Sequence, residues 1–246
     1  MNRKLFVAST IGAALSACSP IGTALNGNQG FHDALGAAEG LDHLVIGTRG
    51  MAREYRDADI DAQFRVNGLD TPSDARYKDY AARHFASYRL LVDGAVARKH
   101  AFTLAQLQAV AQQTQITRHD CVEGWSAIGK WSGVRLGDVL DLVRPTADAK
   151  YAVFHCLDVD PTGAPYYESL DLRQARHPQT LLALRLNDRP LAPDHGAPVR
   201  LRVPTQLGYK SAKWVHHIEI VASMRSLYGG GGGYWEDQGY EWYAGI

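Results

Sequence analysis

The sequence has few cysteines, no charge imbalance and no long apolar run, and each shortage argues against a class of protein. Its 246 residues include 3 cysteines, too few for a disulfide framework. The 26 Lys and Arg residues balance 26 Asp and Glu residues without forming a basic tract, which argues against nucleic acid as the main partner. The apolar stretch over residues 5–17 is shorter than the roughly 20 residues that a membrane-spanning helix needs.

Common cofactor and catalytic motifs are also missing. The sequence contains no Cys-x-x-Cys pair, no Gly-x-Gly-x-x-Gly after a strand, no Gly-Lys-Ser/Thr phosphate loop and no Cys-x-x-Cys-His haem attachment site. Zinc is not favoured at His216 and His217, because neighbouring side chains of a strand point to opposite faces. A cysteine hydrolase stays open, since 10 histidines are present, although no hydrolase signature surrounds a cysteine.

The first 18 residues have the features of an export signal. Arg3 and Lys4 precede the apolar stretch, which ends in Leu15-Ser16-Ala17-Cys18. That run resembles a bacterial lipobox with Cys18 as the lipidated residue, and ordinary signal cleavage at the same point is the alternative. Residues 2–7 resemble a twin-arginine export motif in which Lys replaces the second Arg. We therefore expect a bacterial periplasmic or cell-surface protein, attached to the membrane through Cys18 if the lipobox is used.

The rest of the chain divides into three parts by composition. Residues 19–50 are rich in Gly, Ala, Asn and Ser and are predicted to be a tether, with a short helix over 33–38. Residues 51–228 are predicted to form the folded domain, with a charged, loop-like start over 53–83. Residues 229–246 begin with a glycine run, and we expect their aromatic residues to pack back on the domain, because exposed rings would forfeit burial.

Short strands outnumber helices in the predicted domain. Apolar alternation and turn signals predict strands at 88–92, 115–118, 151–157, 181–186, 199–203 and 214–221. Helical spacing and capping residues predict helices at 104–111, 136–143 and 170–175. The pattern is typical of a mixed α+β domain that is rich in β-structure, rather than of a doubly wound α/β sheet.

Cys121 is the first candidate for chemistry. It lies in the run Arg118-His119-Asp120-Cys121-Val122-Glu123-Gly124-Trp125-Ser126. A thiolate can bind a metal or attack an electrophile, and we expect Arg118 and His119 to lower the pKa of this thiol. The alternative is a buried, inert cysteine, which the polar neighbours make less favourable. Cys156 is interpreted as a small buried residue of a strand, although a disulfide with Cys121 stays open.

A second run carries the positive charges that an anionic ligand needs. It begins His195-Gly196-Ala197-Pro198-Val199-Arg200-Leu201-Arg202-Val203-Pro204 and closes with Gly208-Tyr209-Lys210-Ser211-Ala212-Lys213-Trp214. Strand alternation places Arg200 and Arg202 on one face, and Lys210 and Lys213 follow a turn. These four cations suit a phosphate or pyrophosphate group. The alternative is a solvated polar strand face.

The two runs together resemble the molybdopterin-binding domain of the sulfite oxidase superfamily. The resemblance rests on Cys121 to Ser126, Gly196 to Leu201, Val203-Pro204 and Gly208 to Lys213, supported by Tyr166 to Ser169 and His177-Pro178 with Leu181 to Ala183. It covers roughly residues 88–225 and implies a β-rich α+β fold. It also implies a mononuclear molybdenum held by the dithiolene of one molybdopterin and by a single cysteinate.

The resemblance assigns roles to particular residues. It makes Cys121 the metal ligand, His195 a pterin contact, and Cys156 a further pterin contact on its strand. It assigns the pterin phosphate to Arg200 and to the segment Lys210, Ser211, Ala212 and Lys213. Arg118, Trp125 and Tyr209 are candidates for lining the active site.

The residues after Cys121 indicate a branch of the family. Sulfite oxidases have an Arg-rich sequence there, whereas Val122-Glu123-Gly124-Trp125 resembles the periplasmic protein-methionine-sulfoxide reductases. A glutamate near the metal would repel sulfite. The aromatic N-terminal motif of that branch is not evident over residues 55–64.

The resemblance therefore implies an exported oxidoreductase that reduces S-oxides or N-oxides by oxygen-atom transfer. Because no haem motif is present, we expect a separate haem or quinone-linked electron-transfer partner. Oxidation of a sulfite-like substrate is the alternative within the family. A lipoprotein that keeps the fold as a non-catalytic binding module is the alternative from another class.

Overall fold

The computed structural model describes residues 50–246. The predicted leader over 1–18 with its lipobox Cys18, and the predicted tether up to residue 49 with its helix over 33–38, lie outside the described residues. In the part that is described, no helix is both long enough and apolar enough to cross a membrane.

Four helices and ten strands make up the described chain. The helices are α1 Ala75–Ala82, α2 Leu104–Ala109, α3 Leu136–Val143 and α4 Leu172–Ala175. The strands are β1 Arg89–Gly94, β2 His100–Thr103, β3 Gln112–Cys121, β4 Trp125–Arg135, β5 Tyr151–Val159, β6 Pro165–Asp171, β7 Leu181–Leu186, β8 Arg189–Pro190, β9 Arg200–Arg202 and β10 Val215–Val221. Short 3₁₀ helices occur at Asp57–Asp59, Pro193–His195, Gly208–Lys210 and Glu236–Gln238.

The strands form two five-stranded sheets. The first has the order β2-β1-β10-β5-β6, and β1 and β10 are its parallel pair. The second has the order β3-β4-β7-β8, with β9 also pairing with β7, and all of its pairs are antiparallel. This mixture of short helices and largely antiparallel sheets confirms the predicted β-rich α+β fold.

The main core lies among both sheets and helix α3. Most of its buried residues come from β1, β5, β10, β4, β7, β9 and α3, and α3 contributes Leu136, Val139, Leu140 and Val143. These four apolar residues recur at helical spacing, so one face of α3 is buried while Leu142 is exposed. The helix ends where Arg144 adopts a left-handed conformation before Pro145. Its observed bounds are those predicted.

Capping chemistry fixes the start of α2. The Thr103 hydroxyl accepts a hydrogen bond from the Gln106 amide at 3.0 Å, and the Gln106 side chain accepts one from the Thr103 amide at 2.8 Å. This reciprocal pair is the predicted capping box. Helix α2 ends at Ala109, two residues before the predicted end.

Five helices and strands were not predicted, and one helix was misplaced. Helix α1 lies in the segment predicted to be loop-like, and its buried side chain is Tyr77. Strands β2, β4, β6 and β8 were also missed. Leu170 was predicted to start a helix but belongs to β6, and α4 starts only after Asp171 caps it by accepting from the Gln174 amide at 2.7 Å.

The C-terminal segment, residues 229–246, packs against the rest of the domain. The Tyr234 amide donates to the Tyr167 carbonyl at 2.9 Å, and the Trp242 indole donates to the Ser169 hydroxyl at 2.8 Å. Its glycine run wraps around the carboxylate of Asp237, which accepts from the amides of Gly229 at 2.9 Å and Gly231 at 2.7 Å. Side chains at these glycines would collide with that carboxylate.

Candidate active site

Cys121 lies at the end of β3, where the chain turns into β4. Ten paired residues join the two strands, the last pair being Cys121 and Trp125. The Gly124 amide donates to the Cys121 carbonyl at 3.0 Å and closes the turn. Gly124 has a φ of +85°, a conformation that glycine adopts without strain. The turn therefore presents the partly exposed thiol at the strand end, as the sequence predicted.

The pKa of the Cys121 thiol is raised, not lowered, in this protein. The main cause is burial, and the charge of Glu123 adds to it. The expectation that Arg118 and His119 would lower this pKa is wrong. Arg118 is half exposed and pairs with Asp120 at 2.8 Å. The His119 ring is buried, and burial together with the nearby cations Arg200 and Arg202 lowers its pKa well below the ordinary value, so it carries no charge.

A cavity of about 410 Å³ opens beside Cys121. Its walls come from the loop at 67–69, the turn after Cys121, the end of β5, the segment at 209–213 and the C-terminal segment. The polar groups of the lining are Asn67, Cys121, Glu123, Asp158, Asp160, Ser211 and Lys213. The aromatic groups are Tyr166, Tyr209, Tyr234, Trp235 and Tyr240.

Two buried arginines lie near this cavity with few partners. The Arg200 guanidinium donates to Asn67 Oδ1 at 2.9 Å, and that of Arg202 donates to the Arg118 carbonyl at 2.6 Å. Both guanidinium groups lie over the Trp131 ring, at 5.2 and 5.4 Å from its centroid, so the predicted common face is confirmed. Burial lowers the pKa of Arg200 to about 10 and that of Arg202 to about 9.

Several buried nitrogen atoms around these arginines have no hydrogen-bond partner among the described residues. They are Arg200 Nε, Arg202 Nε and Nη1, both ring nitrogens of His119 and Nδ1 of His195. Buried polar groups are normally hydrogen-bonded, and buried charges are normally paired. Three positively charged side chains, Arg200, Arg202 and Lys213, lie in this region, and a bound anion would supply the missing acceptors.

Lys213 holds the loop at 67–69 against the domain. Its ammonium donates to the carbonyls of Asn67 at 2.7 Å, of Leu69, and of Asp194 at 3.0 Å. Burial, with repulsion from Arg200, lowers the pKa of this lysine to about 7. The loop that carries Asn67 is thereby fixed next to Arg200.

Lys210 is paired inside the protein rather than facing the cavity. Its side chain is fully buried and forms ion pairs with Glu168 at 2.6 Å and with Glu236 of the C-terminal segment. Both carboxylates raise the pKa of Lys210, although burial opposes them. Burial raises the pKa of Glu168 well above its ordinary value. This buried triad ties the C-terminal segment to the segment that carries Lys213.

The predicted site residues fall into two groups in the structure. Those that line the cavity are Cys121, Tyr209, Ser211, Ala212 and Lys213. Those outside its lining are Arg118, Trp125, Cys156, His195, Arg200 and Lys210. Of these, Arg200 bonds to Asn67 of the lining, and Trp125 donates to Glu123 of the lining at 2.8 Å. Cys156 is a buried free thiol of the main core, 5% exposed.

Sequence reasoning missed three contributors to the site. Asn67 and Asp158 carried no motif of their own. His119 was noticed only as a neighbour of the thiol, yet the alternation of β3 buries Gln115, Thr117 and His119 on one face, a signal that was available. Within the described residues, no group of three or more His, Cys, Asp or Glu side chains could hold a metal ion.

Comparison with known proteins identifies a family to which the chain is similar. A family model described as the oxidoreductase molybdopterin-binding domain matches residues 77–228. The "Putative protein-methionine-sulfoxide reductase subunit YedZ1" of Azospira oryzae is 47% identical over 176 residues, which are 71% of this chain and 63% of that protein. The protein-methionine-sulfoxide reductase catalytic subunit MsrP of Xanthomonas axonopodis pv. citri is 42% identical over 128 residues, 48% of this chain and 39% of that protein. The chain thus spans less than two thirds of either relative.

A solved structure supports the fold. The sulfane dehydrogenase SoxCD of Paracoccus pantotrophus superposes with a TM-score of 0.50 at 22% identity, over 56% of this chain and 39% of that one. At this identity the likeness bears on the fold alone. It agrees with the sulfite-oxidase type of fold expected from the sequence.

Proposed function

The chain belongs to the family of oxidoreductase molybdopterin-binding domains, and on that premise we propose that it is an enzyme that reduces S-oxides, with N-oxides as a second class. One observation carries the proposal: a thiol lines a cavity with an aromatic wall, and Asn67 of the same lining accepts from the buried Arg200, whose Nε has no partner among the described residues. Two relatives named as protein-methionine-sulfoxide reductase subunits support sulfoxide as the substrate class.

The residues around the cavity fit molybdopterin. The Cys121 thiol is the type of ligand that molybdenum requires, and the free donors of Arg200 and Arg202, with the charge of Lys213, match a phosphate group. Ser211 and Asn67 add polar contacts in the same lining. Bound there, the cofactor supplies the two-electron redox centre on which oxygen-atom transfer depends.

The other groups of the site bind the substrate and keep water away from it. Tyr166, Tyr209 and Tyr234 present aromatic surface against which the apolar groups of an S-oxide pack, and the sulfur of the thioether product contacts ring edges favourably. The ring of Tyr166 is held in place because its hydroxyl donates to the Tyr209 carbonyl at 2.8 Å. Glu123 lies in the same lining and disfavours an anion such as sulfite. A neutral S-oxide suits this cavity better.

We propose further that the protein works outside the cytoplasm with a separate electron donor. The export features of residues 1–18, including the lipobox Cys18, support a periplasmic or cell-surface location. The lack of a haem attachment motif in the sequence supports a separate haem or quinone-linked partner.

The first experiment measures molybdenum and pterin in protein purified from a host that makes the cofactor. We expect about one molybdenum per chain, lost in Cys121→Ala. Cys156→Ala is the matched control, because this second free thiol lies in the hydrophobic core, and it should keep the metal. Two activity assays then compare the two possible reactions. One follows reduction of methionine sulfoxide with reduced viologen, and the other follows oxidation of sulfite with ferricyanide. If both variants keep the molybdenum, Cys121 is not the metal ligand. If the protein oxidises sulfite but does not reduce methionine sulfoxide, the proposed direction of the reaction, reduction of the substrate, is wrong.

A further inference from the structure

Asp158 is a buried carboxyl group in the cavity lining to which no role has yet been given. It lies near the end of β5, is 8% exposed, and lines the cavity together with Cys121, Tyr166 and Lys213. Its Oδ1 has no hydrogen-bond partner among the described residues. Its own backbone amide is the hydrogen-bonding group that favours its charged form. A carboxyl group in this position has no partner to compensate a negative charge.

The ionisable groups that face Asp158 do not pair with it. Lys213 is the nearest cation, but its ammonium donates to three backbone carbonyls. Tyr166 and Cys156 also face Asp158, and both are neutral because burial raises their pKa. Burial likewise raises the pKa of Asp158 to about 7. The group is therefore about half protonated at neutral pH and can release its proton at a small cost.

Asp160, two residues further on, provides the contrast. It lines the same cavity, but its carboxylate accepts from the Thr162 hydroxyl at 2.7 Å and from the Tyr234 hydroxyl at 2.8 Å. These hydrogen bonds lower its pKa to about 2. One cavity thus contains a carboxylate that stays charged and a carboxyl group that keeps its proton up to about pH 7. Two carboxyl groups kept in different protonation states are typical of sites that move protons.

Reduction of an S-oxide consumes two electrons and two protons. The sulfur–oxygen bond breaks, the sulfur is reduced to a thioether, and the oxygen leaves as water. We propose that Asp158 is a catalytic acid of this reaction and gives one of the two protons to the departing oxygen. The second proton comes from solvent, which also reprotonates Asp158, and the electrons come from the external donor. This inference rests on the proposed function.

The test compares the pH dependence of turnover in cofactor-loaded protein, with methionine sulfoxide as substrate and reduced viologen as donor. We expect the wild-type rate to fall as pH rises through about 7, where Asp158 loses its proton. Asp158→Asn keeps the shape but cannot donate an acidic proton, so it should lower kcat by about 100-fold and remove this pH dependence. Asp158→Glu should restore part of the rate together with the alkaline decline.

Two further measurements separate chemistry from folding. Asp160→Asn is the matched control, since the same change at the charged carboxylate should leave the alkaline decline in place. Infrared spectra of the cofactor-free proteins at pH 6 report the C=O stretch of protonated carboxyl groups. The wild type should show a protonated carboxyl signal that Asp158→Asn lacks, and circular dichroism should show the same fold in both.

The outcomes are distinct. The inference is supported if the wild type turns over and Asp158→Asn loses both the fall in rate at alkaline pH and the infrared signal of the protonated carboxyl group. An Asp158→Asn variant with the wild-type rate and pH profile overturns the inference and leaves the proposed function intact. The same conclusion follows if the infrared spectrum of Asp158→Asn is identical to that of the wild type. A molybdenum-loaded wild type that reduces no S-oxide overturns both the proposed function and this inference.

Discussion

At the scale of single residues, His119 packs so closely against Gly208 that no side chain fits at position 208. A Cβ atom on Gly208 would lie 2.4 Å from His119 Nε2 and 2.7 Å from its Cε1. His119 is buried in β3 and has Phe64 and Trp125 against its ring, at centroid distances of 5.8 and 5.7 Å.

Gly208→Ala should therefore push His119 out of place and destabilise the protein by about 1–3 kcal/mol, the usual cost of overpacking. Chemical denaturation measures this change. Gly137→Ala is the control, because a Cβ there is 3.6 Å from its nearest neighbour and the residue lies in helix α3, so stability should stay or rise. Equal stability of the two variants would show that the packing around His119 is loose.

Asp158 also makes stability depend on pH. Its pKa is about 7 in the folded protein and 3.8 ordinarily, so the folded state keeps a proton that the unfolded state loses. The contribution of Asp158 to the free energy of unfolding is fully present below about pH 4 and decreases as pH rises. Above about pH 7, as much as about 4 kcal/mol of it has been lost. In cofactor-free protein, the stability difference between Asp158→Asn and wild type should therefore grow from pH 5 to pH 8. A difference that is constant with pH would contradict the raised pKa.

The Cys121 turn was recognisable from residues alone, whereas its electrostatics were not. A polar run around a lone cysteine shows that the thiol is not in a core strand. The pKa of that thiol depends on burial and on where Arg118 points, and these depend on strands that are distant in sequence. Lys210 shows the same limit, because Glu168 and Glu236 come to it from different elements.

At the scale of elements, the buried triad joins β6, the segment after β9 and the C-terminal segment. Lys210→Met would leave Glu168 and Glu236 buried next to each other without a cation. Removing one partner of a buried ion pair costs about 3–5 kcal/mol, so we expect a loss of that size. Denaturation curves check it. The variant Lys210→Met/Glu168→Gln/Glu236→Gln should recover most of the loss, and equal instability of both variants would mean that shape, not charge, is responsible.

Elements whose packing agrees with their local pattern were predicted well. Helix α3 and strand β7 have their predicted bounds because their apolar residues face the core and nothing interrupts them. Strand β4 was missed because Gly129 and Gly133 weaken its pattern. Both glycines are needed by the tertiary structure, since a Cβ on Gly133 would lie 2.1 Å from the Leu182 carbonyl oxygen of β7. Close approach of backbones is not visible in a sequence.

At the scale of the whole molecule, the cofactor-free protein contains more buried positive charge near the cavity than it can pair. Inorganic phosphate resembles the anionic part of the cofactor and should bind there, so millimolar phosphate should raise the melting temperature. Arg200→Met should remove most of this increase, because it deletes a buried guanidinium with a free Nε. Lys150→Met is the control, since Lys150 lies outside the cavity lining. An equal increase in all three proteins would indicate a general salt effect.

The C-terminal wall of the cavity has a consequence for the order of events during biosynthesis. Tyr234, Trp235 and Tyr240 leave the ribosome after every other residue of the cavity lining. Until they emerge, the nascent domain lacks this side of the site and the carboxylate that Glu236 brings to Lys210. If a cofactor entered at that stage, docking of Tyr234, Trp235 and Tyr240 would enclose it. Loading and the completion of folding would thus be successive steps of one maturation.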